Sequence, residues 1–130
     1  MKEIMAIIRM NMVGETKKVL AESGFPSITC KNILGRGKKK VNFSMISDYM
    51  TEEELHQISD KKTMEQISES YRLISKRLVL ILAKDEDVKK IVDIIIDVNQ
   101  TGNPGDGKIF VTKVTDVVRI RTGEKQDEAI

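Results

Sequence analysis

The sequence contains few of the residues from which covalent, metal and aromatic sites are built. It has one cysteine (Cys30), one histidine (His56) and no tryptophan, and aromatic residues make up only 4% of the chain. A single cysteine excludes a disulfide within the chain, and one cysteine with one histidine supplies too few ligands for a zinc site. Because aromatic residues are scarce, we expect an aliphatic core.

Long apolar segments are also missing. The longest run, residues 78–83, has the length of a strand, whereas a membrane span needs about 20 apolar residues. The apolar stretch at residues 4–8 is too short for a signal peptide. We therefore expect a cytoplasmic protein without a membrane partner. A length of 130 residues predicts a single domain spanning residues 1–130.

Charge of one sign does not dominate either. The 22 Lys and Arg residues nearly balance the 20 Asp and Glu residues, so the net charge of +2 does not indicate a nucleic-acid partner. The distribution is uneven, however, because residues 35–40 read Gly-Arg-Gly-Lys-Lys-Lys. A short basic segment of this kind predicts a site for an anionic ligand.

Hydrophobic periodicity predicts two βαβ units separated by a long insertion. The strands are predicted at residues 5–10, 27–34, 76–83 and 108–121, the last with an interruption near Lys113. The helices are predicted at 15–23 and 86–98, the second capped by Asp85. Two such units fold as an α+β ferredoxin-like βαββαβ sandwich, in which a four-stranded sheet carries both helices on one face.

The insertion, residues 37–75, is longer than an ordinary connection within a compact domain. It contains two capping boxes, at residues 51–54 and 63–66, which indicate two short helices. Two interpretations stay open at this point. The helices pack on their own domain, or they form a mobile arm whose methionine-containing stripes dock on a partner.

A glycine-rich loop, residues 102–108, satisfies the pattern G-x-x-x-x-G-K. It is not a Walker A loop, because a strand-like segment follows it instead of Ser or Thr and a helix. Its glycines still allow consecutive backbone N–H groups to converge on an anion, and Lys108 adds a positive charge. The alternative interpretation is an ordinary turn before a strand.

Two arginines follow in the last predicted strand. Arg119 and Arg121 are two residues apart, so on a strand they point to the same face. They meet either surface carboxylates or, together with Lys108 and the glycine loop, a triphosphate. No catalytic set of residues is evident in the sequence, so we expect a binding protein rather than an enzyme.

The tail at residues 116–124 and the loop at residues 100–110 closely resemble the C-terminal signature and the phosphate-binding B-loop of the PII signal-transduction family. The resemblance covers nearly all of the chain outside residues 41–75. It implies a ferredoxin-like trimer that binds ATP or ADP in three clefts between neighbouring subunits. The insertion corresponds to the family's T-loop, which contacts target proteins.

The resemblance also implies the ligand contacts. The phosphates are expected to be bound by Gly37, Lys38, Gly105, Asp106, Gly107, Lys108, Arg119 and Arg121. Thr29 is expected to contact the adenine, and 2-oxoglutarate to be bound by Lys39, Lys40 and Lys76. Lys39 stands where the family commonly has a glutamine that helps to hold magnesium. Because a lysine repels a cation, this departure bears on whether Mg²⁺ accompanies 2-oxoglutarate.

The long and altered T-loop resembles the nitrogen-fixation (NifI-type) branch of the family, and the overall pattern resembles the second of its two paired paralogues. This resemblance implies a regulator that binds dinitrogenase directly, as a homotrimer or together with its paired PII paralogue, and is released by 2-oxoglutarate with ATP. Two alternatives stay open. One is a PII protein that controls an ammonium transporter or glutamine synthetase. The other is an RNA-binding module on the same sheet topology.

Overall fold

The computed structural model describes residues 1–37 and 73–130. This part of the chain contains four strands and two α-helices: β1 (Lys2–Arg9), α1 (Val13–Glu22), β2 (Thr29–Gly35), β3 (Ile74–Ala83), α2 (Val88–Asn99) and β4 (Lys108–Lys113). Short 3-10 turns occur at Met10–Met12, Asp85–Asp87 and Gln126–Ala129. Both predicted capping boxes of the insertion lie outside the described residues.

The strands form a single sheet in the order β2-β3-β1-β4. β1 runs antiparallel to both of its neighbours, with Ile4 opposite Ile81 of β3 and Val111 of β4. Each βαβ unit thus contributes one of the two central strands, β1 and β3. The sheet and its two helices confirm the predicted α+β class and are consistent with a ferredoxin-like sandwich.

Two predicted boundaries are wrong. β4 ends at Lys113 and does not continue to Arg121, because Lys113 already lies opposite Lys2, the first residue of β1. Beyond this point Val118 and Lys125 form only an isolated antiparallel bridge. Asp85 does not cap α2 either, since a 3-10 turn precedes that helix and no side chain bonds to its first turn.

The core lies between the sheet and the two helices. Ile4, Ala6 and Ile8 are buried while the residues between them are less so, which is the alternation of a strand with one covered face. On α2, Ile91 and Ile95 are four residues apart and are both buried. The nine buried members of the cluster are all aliphatic: Ile4, Ala6, Ile8, Leu20, Val79, Ile81, Ala83, Ile91 and Ile95.

The opposite face of the sheet is also apolar. Met5 lies opposite Leu80 and Phe110, and Ile7 lies opposite Leu78. These side chains alternate with the core residues and therefore point away from the helices. Phe110 is 45% exposed and the other four are half-buried. A sheet that is apolar on both faces requires a cover on the second one.

The described chain divides into two compact units. Met1–Ile33 and Lys76–Ile130 form the first unit, and Leu34–Ser75 form the second. The first unit contains both helices, β1 and β4, and all the features of the candidate site described below. Within residues 1–37 and 73–130, no helix combines the length and the apolar character needed to cross a membrane.

Candidate functional site

The glycine loop connects α2 to β4 and adopts a backbone that only glycine accommodates easily. Gly102, Gly105 and Gly107 have φ values of +83°, +103° and +117°, in a region that side chains disfavour. At Gly107 a Cβ atom would lie 1.9 Å from the carbonyl oxygen of Ile7. The loop therefore passes directly against β1, and no larger residue fits there.

The side chain of Asp106 connects the end of this loop to its beginning. Its carboxylate accepts hydrogen bonds from the backbone N–H groups of Thr101 (2.8 Å) and Gly102 (3.0 Å), and also from the hydroxyl of Thr101. The Thr101 hydroxyl, the Thr101 N–H group and the Arg9 guanidinium together hold the pKa of the Asp106 carboxyl well below its usual range. Asp106 is therefore a fixed negative charge that shapes the loop.

Two basic side chains from the sheet reach the same loop. Arg9 donates from Nη1 to Asp106 Oδ1 at 2.7 Å, and from Nη2 to the carbonyl oxygen of Pro104 at 3.4 Å. Lys76 donates from Nζ to the carbonyl oxygen of Gly105 at 2.9 Å. The two meet because Arg9, the last residue of β1, lies opposite Lys76 of β3. Lys76 was predicted as a site residue, whereas sequence reasoning missed Arg9.

Arg119 is paired with a surface carboxylate, one of the two environments that the sequence left open. It lies beyond β4, and its Nη1 donates to Glu124 Oε2 at 2.6 Å. Its Nη2 donates to the carbonyl oxygen of Ile130 at 3.1 Å, and the Thr122 hydroxyl bonds to the same Glu124 oxygen at 2.9 Å. In the structure, Arg119 therefore meets a surface carboxylate, as the first of the two alternatives predicted.

The segment around Arg119 is a closed turn. The Arg119 N–H group donates to the carbonyl oxygen of Glu124, and the Gly123 N–H group to that of Arg119, both at 2.8 Å. Arg121 and the fully exposed Ile120 belong to this turn. The prediction that Arg119 and Arg121 share one face of a strand is therefore wrong, because neither residue belongs to a regular strand.

The loop and the two arginines are separated by β4. Lys108 is the first residue of this strand and Lys113 the last, and six residues of antiparallel strand span about 17 Å. The loop precedes Lys108, whereas Arg119 and Arg121 follow Lys113. Within the described residues, no hydrogen bond or ion pair connects residues 101–108 to either arginine. One copy of the chain thus carries the two groups of residues at opposite ends of β4.

The remaining predicted residues lie at several places. Thr29 is exposed at the beginning of β2, and Lys108 is exposed at the beginning of β4. Gly37 belongs to the second unit, and Lys38, Lys39 and Lys40 lie outside the described residues. As for magnesium, the described ranges contain no group of three His, Cys, Asp or Glu side chains that could hold a metal ion.

A groove adjoins the glycine loop and is lined by residues of α2, β1 and β4. Its volume is about 430 Å³, and Asp106, Gly107 and Lys108 line one end of it. Most of the other lining residues are aliphatic side chains of α2, β1 and β4: Ile7, Ile8, Val92, Ile95, Ile96, Ile109 and Val111. The groove is therefore an apolar surface that continues from the polar loop.

Asn99 is a buried polar residue among those that line this groove. It is the last residue of α2, is only 5% exposed, and donates from Nδ2 to Thr16 Oγ1 (3.1 Å) and to the carbonyl oxygen of Ile95 (2.9 Å). Its Oδ1 atom is buried and has no hydrogen-bond partner within the described chain. The side chain thus fastens α2 to α1 just before the loop and leaves one acceptor unused.

Comparison with known proteins connects this arrangement to one family. A family model described as nitrogen regulatory protein P-II matches residues 1–124. The nitrogen fixation nifHD region GlnB-like protein 2 of Methanobacterium ivanovii is 42% identical over 135 residues, covering 100% of this chain and 99% of that protein. The protein of the same name from Methanothermobacter marburgensis is 41% identical over 130 residues, covering 100% of both. The nitrogen regulatory protein P-II 2 of Methanothermobacter thermautotrophicus is 36% identical over 137 residues, covering 100% of this chain and 97% of that protein.

Proposed function

Since the chain belongs to the nitrogen regulatory protein P-II family, we propose that it is a nucleotide-gated regulator of nitrogen fixation rather than an enzyme. In this proposal it binds ATP or ADP together with 2-oxoglutarate. It controls nitrogenase through direct contact of its insertion, residues 37–75, with dinitrogenase. The names of its relatives support the nitrogen-fixation context, because they assign those proteins to the nifHD region.

The geometry of the glycine loop is the observation that carries the nucleotide proposal. Asp106 accepts the N–H groups at the beginning of the loop. Among the hydrogen bonds described for this loop, none uses the N–H groups of Gly105, Asp106 or Gly107, and the proposal assigns these groups to phosphate oxygens. Lys108 is exposed directly after them. A concave run of N–H groups followed by a lysine is a common way of binding phosphate. Asp106 contributes by shaping this run, since an ionised carboxylate cannot itself donate to phosphate.

Arg9 and Lys76 support a second, dicarboxylate ligand beside the nucleotide. A Cβ atom at Gly105 would lie 3.3 Å from Arg9 Nη2 and 3.7 Å from Lys76 Nζ. Two basic groups thus approach one point of the loop. Because Asp106 already matches the charge of Arg9 at 2.7 Å, Lys76 is the group that we assign to the carboxylate of 2-oxoglutarate. Each charge-assisted hydrogen bond contributes about 1.5–3 kcal/mol. A ligand that changes the population ratio of two states of the insertion from 1:99 to 99:1 must differ by about 5.5 kcal/mol in its affinity for these states. A few such contacts, made in only one state, suffice.

The proposed oligomer is a trimer or a mixed assembly with a paired PII paralogue. Two observations support subunit association. The second face of the sheet carries Met5, Ile7, Leu78, Leu80 and Phe110, and its burial between subunits would remove apolar surface from water. The loop and the arginine pair lie at opposite ends of β4. A site that combines both therefore takes its arginines from a neighbouring subunit.

Calorimetry with a matched pair of lysine variants tests nucleotide binding. Lys108 and Lys113 are exposed residues at the two ends of the same strand, and only Lys108 adjoins the loop. We expect Lys108→Ala to weaken ATP binding by about tenfold, which corresponds to one charge-assisted contact. We expect Lys113→Ala to leave the affinity unchanged. Equal ATP affinity in both variants and the original chain would contradict the proposed site.

Calorimetry also tests whether 2-oxoglutarate and Mg²⁺ affect ATP binding. Titration of ATP in the presence of 2-oxoglutarate, with and without Mg²⁺, measures whether the two ligands reinforce each other. We expect reinforcement in the original chain and its loss in Lys76→Ala. Reinforcement that persists in Lys76→Ala would assign the effector contact to other residues.

Co-purification with dinitrogenase tests the proposed target. The full chain is expected to bind dinitrogenase in the absence of ligands and to dissociate when ATP and 2-oxoglutarate are added together. A chain in which a short glycine linker replaces residues 41–72 is expected not to bind. An ammonium transporter or glutamine synthetase, assayed in parallel, represents the alternative target. Selective binding to either of these would replace nitrogenase in the proposal.

A further inference from the structure

Two buried polar residues bond to each other across the pair of helices. Thr16 of α1 is 1% exposed and Asn99 of α2 is 5% exposed, and within the described residues they are the only polar side chains that are buried. Asn99 Nδ2 donates to Thr16 Oγ1 at 3.1 Å, although the two residues are 83 positions apart. The Thr16 hydroxyl in turn donates to the carbonyl oxygen of Met12 at 2.7 Å. A polar contact thus crosses a region whose buried cluster is otherwise aliphatic.

Stability alone does not account for this pair. Asn99 Oδ1 is buried and has no hydrogen-bond partner within the described chain. A buried acceptor without a hydrogen bond lowers the stability of a fold, whereas two apolar residues of the same shape as a buried polar pair are nearly neutral or stabilising. Valine and leucine at the positions of Thr16 and Asn99 would continue the aliphatic cluster. The pair therefore requires a role other than stabilisation.

The position of the pair relates it to the glycine loop. The end of the loop is fixed by the sheet, because Lys108 lies opposite Ile7 of β1. The beginning of the loop belongs to no strand and follows Asn99, the last residue of α2. The bond to Thr16 attaches this end of α2 to α1. Where the loop begins is therefore determined by a helix end that the buried pair holds.

A second connection leads from Thr16 back to the same loop. Met12, whose carbonyl oxygen Thr16 binds, ends the short turn that follows Arg9. Arg9 in turn bonds to Asp106 within the loop at 2.7 Å. The ion pair between Arg9 and Asp106 is about a quarter exposed, whereas the bond between Thr16 and Asn99 is buried. The loop is thus connected to the end of β1 both through the surface and through the interior.

We propose that Thr16 and Asn99 are positioning residues for the glycine loop. Their buried hydrogen bond sets where the loop begins and so holds the N–H groups of residues 105–107 in the arrangement that binds phosphate. This inference rests on the proposed function, because phosphate is the ligand for which the loop is positioned. Thr16 is buried and is not among the residues that line the groove, so it acts through Asn99. A small displacement of converging donors weakens several hydrogen bonds at once.

A matched pair of substitutions at Thr16 separates positioning from packing. Thr16→Val keeps the volume and removes the hydroxyl, whereas Thr16→Ser keeps the hydroxyl and removes a methyl group. Calorimetry measures ATP affinity and urea denaturation measures stability. We expect Thr16→Val to weaken ATP binding by about tenfold, which is comparable to the loss of one charge-assisted contact. We expect Thr16→Ser to be less stable than the original chain and to keep its affinity. Unchanged affinity in Thr16→Val, or an equal loss in both variants, would overturn the proposal.

A double variant and a control at the other end of the helices sharpen the test. Thr16→Val combined with Asn99→Leu leaves no polar side chain of the pair behind. It is expected to be at least as stable as the original chain and still to bind ATP about tenfold more weakly. Lys90→Met removes the other bond from α2 to the end of α1, in which Lys90 Nζ donates to the carbonyl oxygen of Ser23 at 3.4 Å. We expect this control to keep its ATP affinity. Full affinity in the double variant, or an equal loss in Lys90→Met, would contradict the positioning role.

Amide hydrogen exchange reports on the loop in the absence of nucleotide. The N–H groups of Thr101 and Gly102 bond to Asp106, and NMR measures their exchange relative to that of Ala6 in β1, which reports on global unfolding. We expect this relative exchange to be at least tenfold faster in Thr16→Val and unchanged in Thr16→Ser. Unchanged relative exchange in Thr16→Val would overturn the proposal whether or not the chain binds ATP.

The positioning role and the proposed function fail separately in these experiments. If exchange in the loop is faster in Thr16→Val but the original chain does not bind ATP, the buried pair positions the loop and the nucleotide proposal fails. If the original chain binds ATP and Thr16→Val binds it equally well, the nucleotide proposal stands and the positioning role of Thr16 and Asn99 fails.

Discussion

The glycine loop and the C-terminal turn use a carboxylate in opposite ways. In the loop, Asp106 accepts the backbone N–H groups of Thr101 and Gly102, and its charge is matched by Arg9 from another strand. In the turn, Glu124 binds the guanidinium of Arg119 itself. The first carboxylate shapes a backbone and leaves Lys108 exposed for a ligand. The Glu124 carboxylate pairs with the Arg119 guanidinium, which was predicted to bind a ligand. Basic residues near a candidate phosphate site are therefore not equivalent, and their acidic neighbours determine how available each one is.

Substitution of one positive-φ glycine in each of these regions separates them most strongly. A Cβ at Gly107 (φ +117°) would collide with the backbone of Ile7, whereas a Cβ at Gly123 (φ +74°) meets nothing within 4 Å. We expect Gly107→Ala to lower the free energy of unfolding by about 3 kcal/mol or more, from strain and displacement of β1 together. Gly123→Ala is expected to cost only about 1 kcal/mol of backbone strain. Urea denaturation measures both, and similar losses would contradict the close approach of the loop to β1.

Neutralising the two carboxylates is expected to change nucleotide affinity in opposite directions. Asp106→Asn removes the negative charge and replaces one of the two acceptor oxygens that close the loop by an amide NH2 donor, so we expect ATP affinity to fall by about tenfold. Glu124→Gln weakens the attachment of Arg119 and makes this guanidinium more available, so affinity is expected to stay equal or to rise. Calorimetric titration of the two variants measures the difference. A larger loss in Glu124→Gln would mean that Glu124 positions Arg119 for the phosphate rather than occupying it.

The pH dependence of stability is the smallest expected effect. The pKa of Asp106 lies below its ordinary value of 3.8 in the folded chain, chiefly because of the Thr101 hydroxyl. A folded-state pKa that is lowered contributes stability above the ordinary value, and this contribution is lost as the pH falls below it. The difference in unfolding free energy between the original chain and Asp106→Asn should therefore be constant from pH 7 to about 5 and shrink below pH 4. A constant difference down to pH 3 would show that Asp106 is not stabilised as a carboxylate.

Local patterns predicted the elements that repeat along the chain. The apolar run at residues 5–10 predicted the first strand, and the helical spacing of Val88, Ile91, Val92 and Ile95 predicted the second helix. The resemblance of residues 100–110 to a phosphate-binding loop indicated where the site lies. The end of β4 was predicted wrongly because it depends on register. Lys113 lies opposite Lys2, and no local feature of residues 114–121 records that pairing.

The role of Arg9 could not be predicted because its partner is distant in sequence. Arg9 and Asp106 are 97 residues apart and meet only because β1 ends beside the loop. The signal that could have found it is the strand pairing: once β1 and β3 are aligned antiparallel, Arg9 falls opposite Lys76, which the resemblance had already singled out. The ion pair between Arg119 and Glu124 is a local contact, but the predicted strand ended at Arg121, so the sequence left open which carboxylate Arg119 meets.

The placement of the loop and the arginine turn at opposite ends of β4 has a genetic consequence. In the proposed ring of copies, each chain contributes its arginines to the site of one neighbour and receives arginines from the other. A chain with a defective loop and a chain with a defective turn can complement each other, because a mixed ring contains some junctions where both intact halves meet. Two chains that are both defective in the loop, or both defective in the turn, cannot complement each other. Inactive alleles of this chain should thus fall into two complementation groups, divided by a strand of six residues.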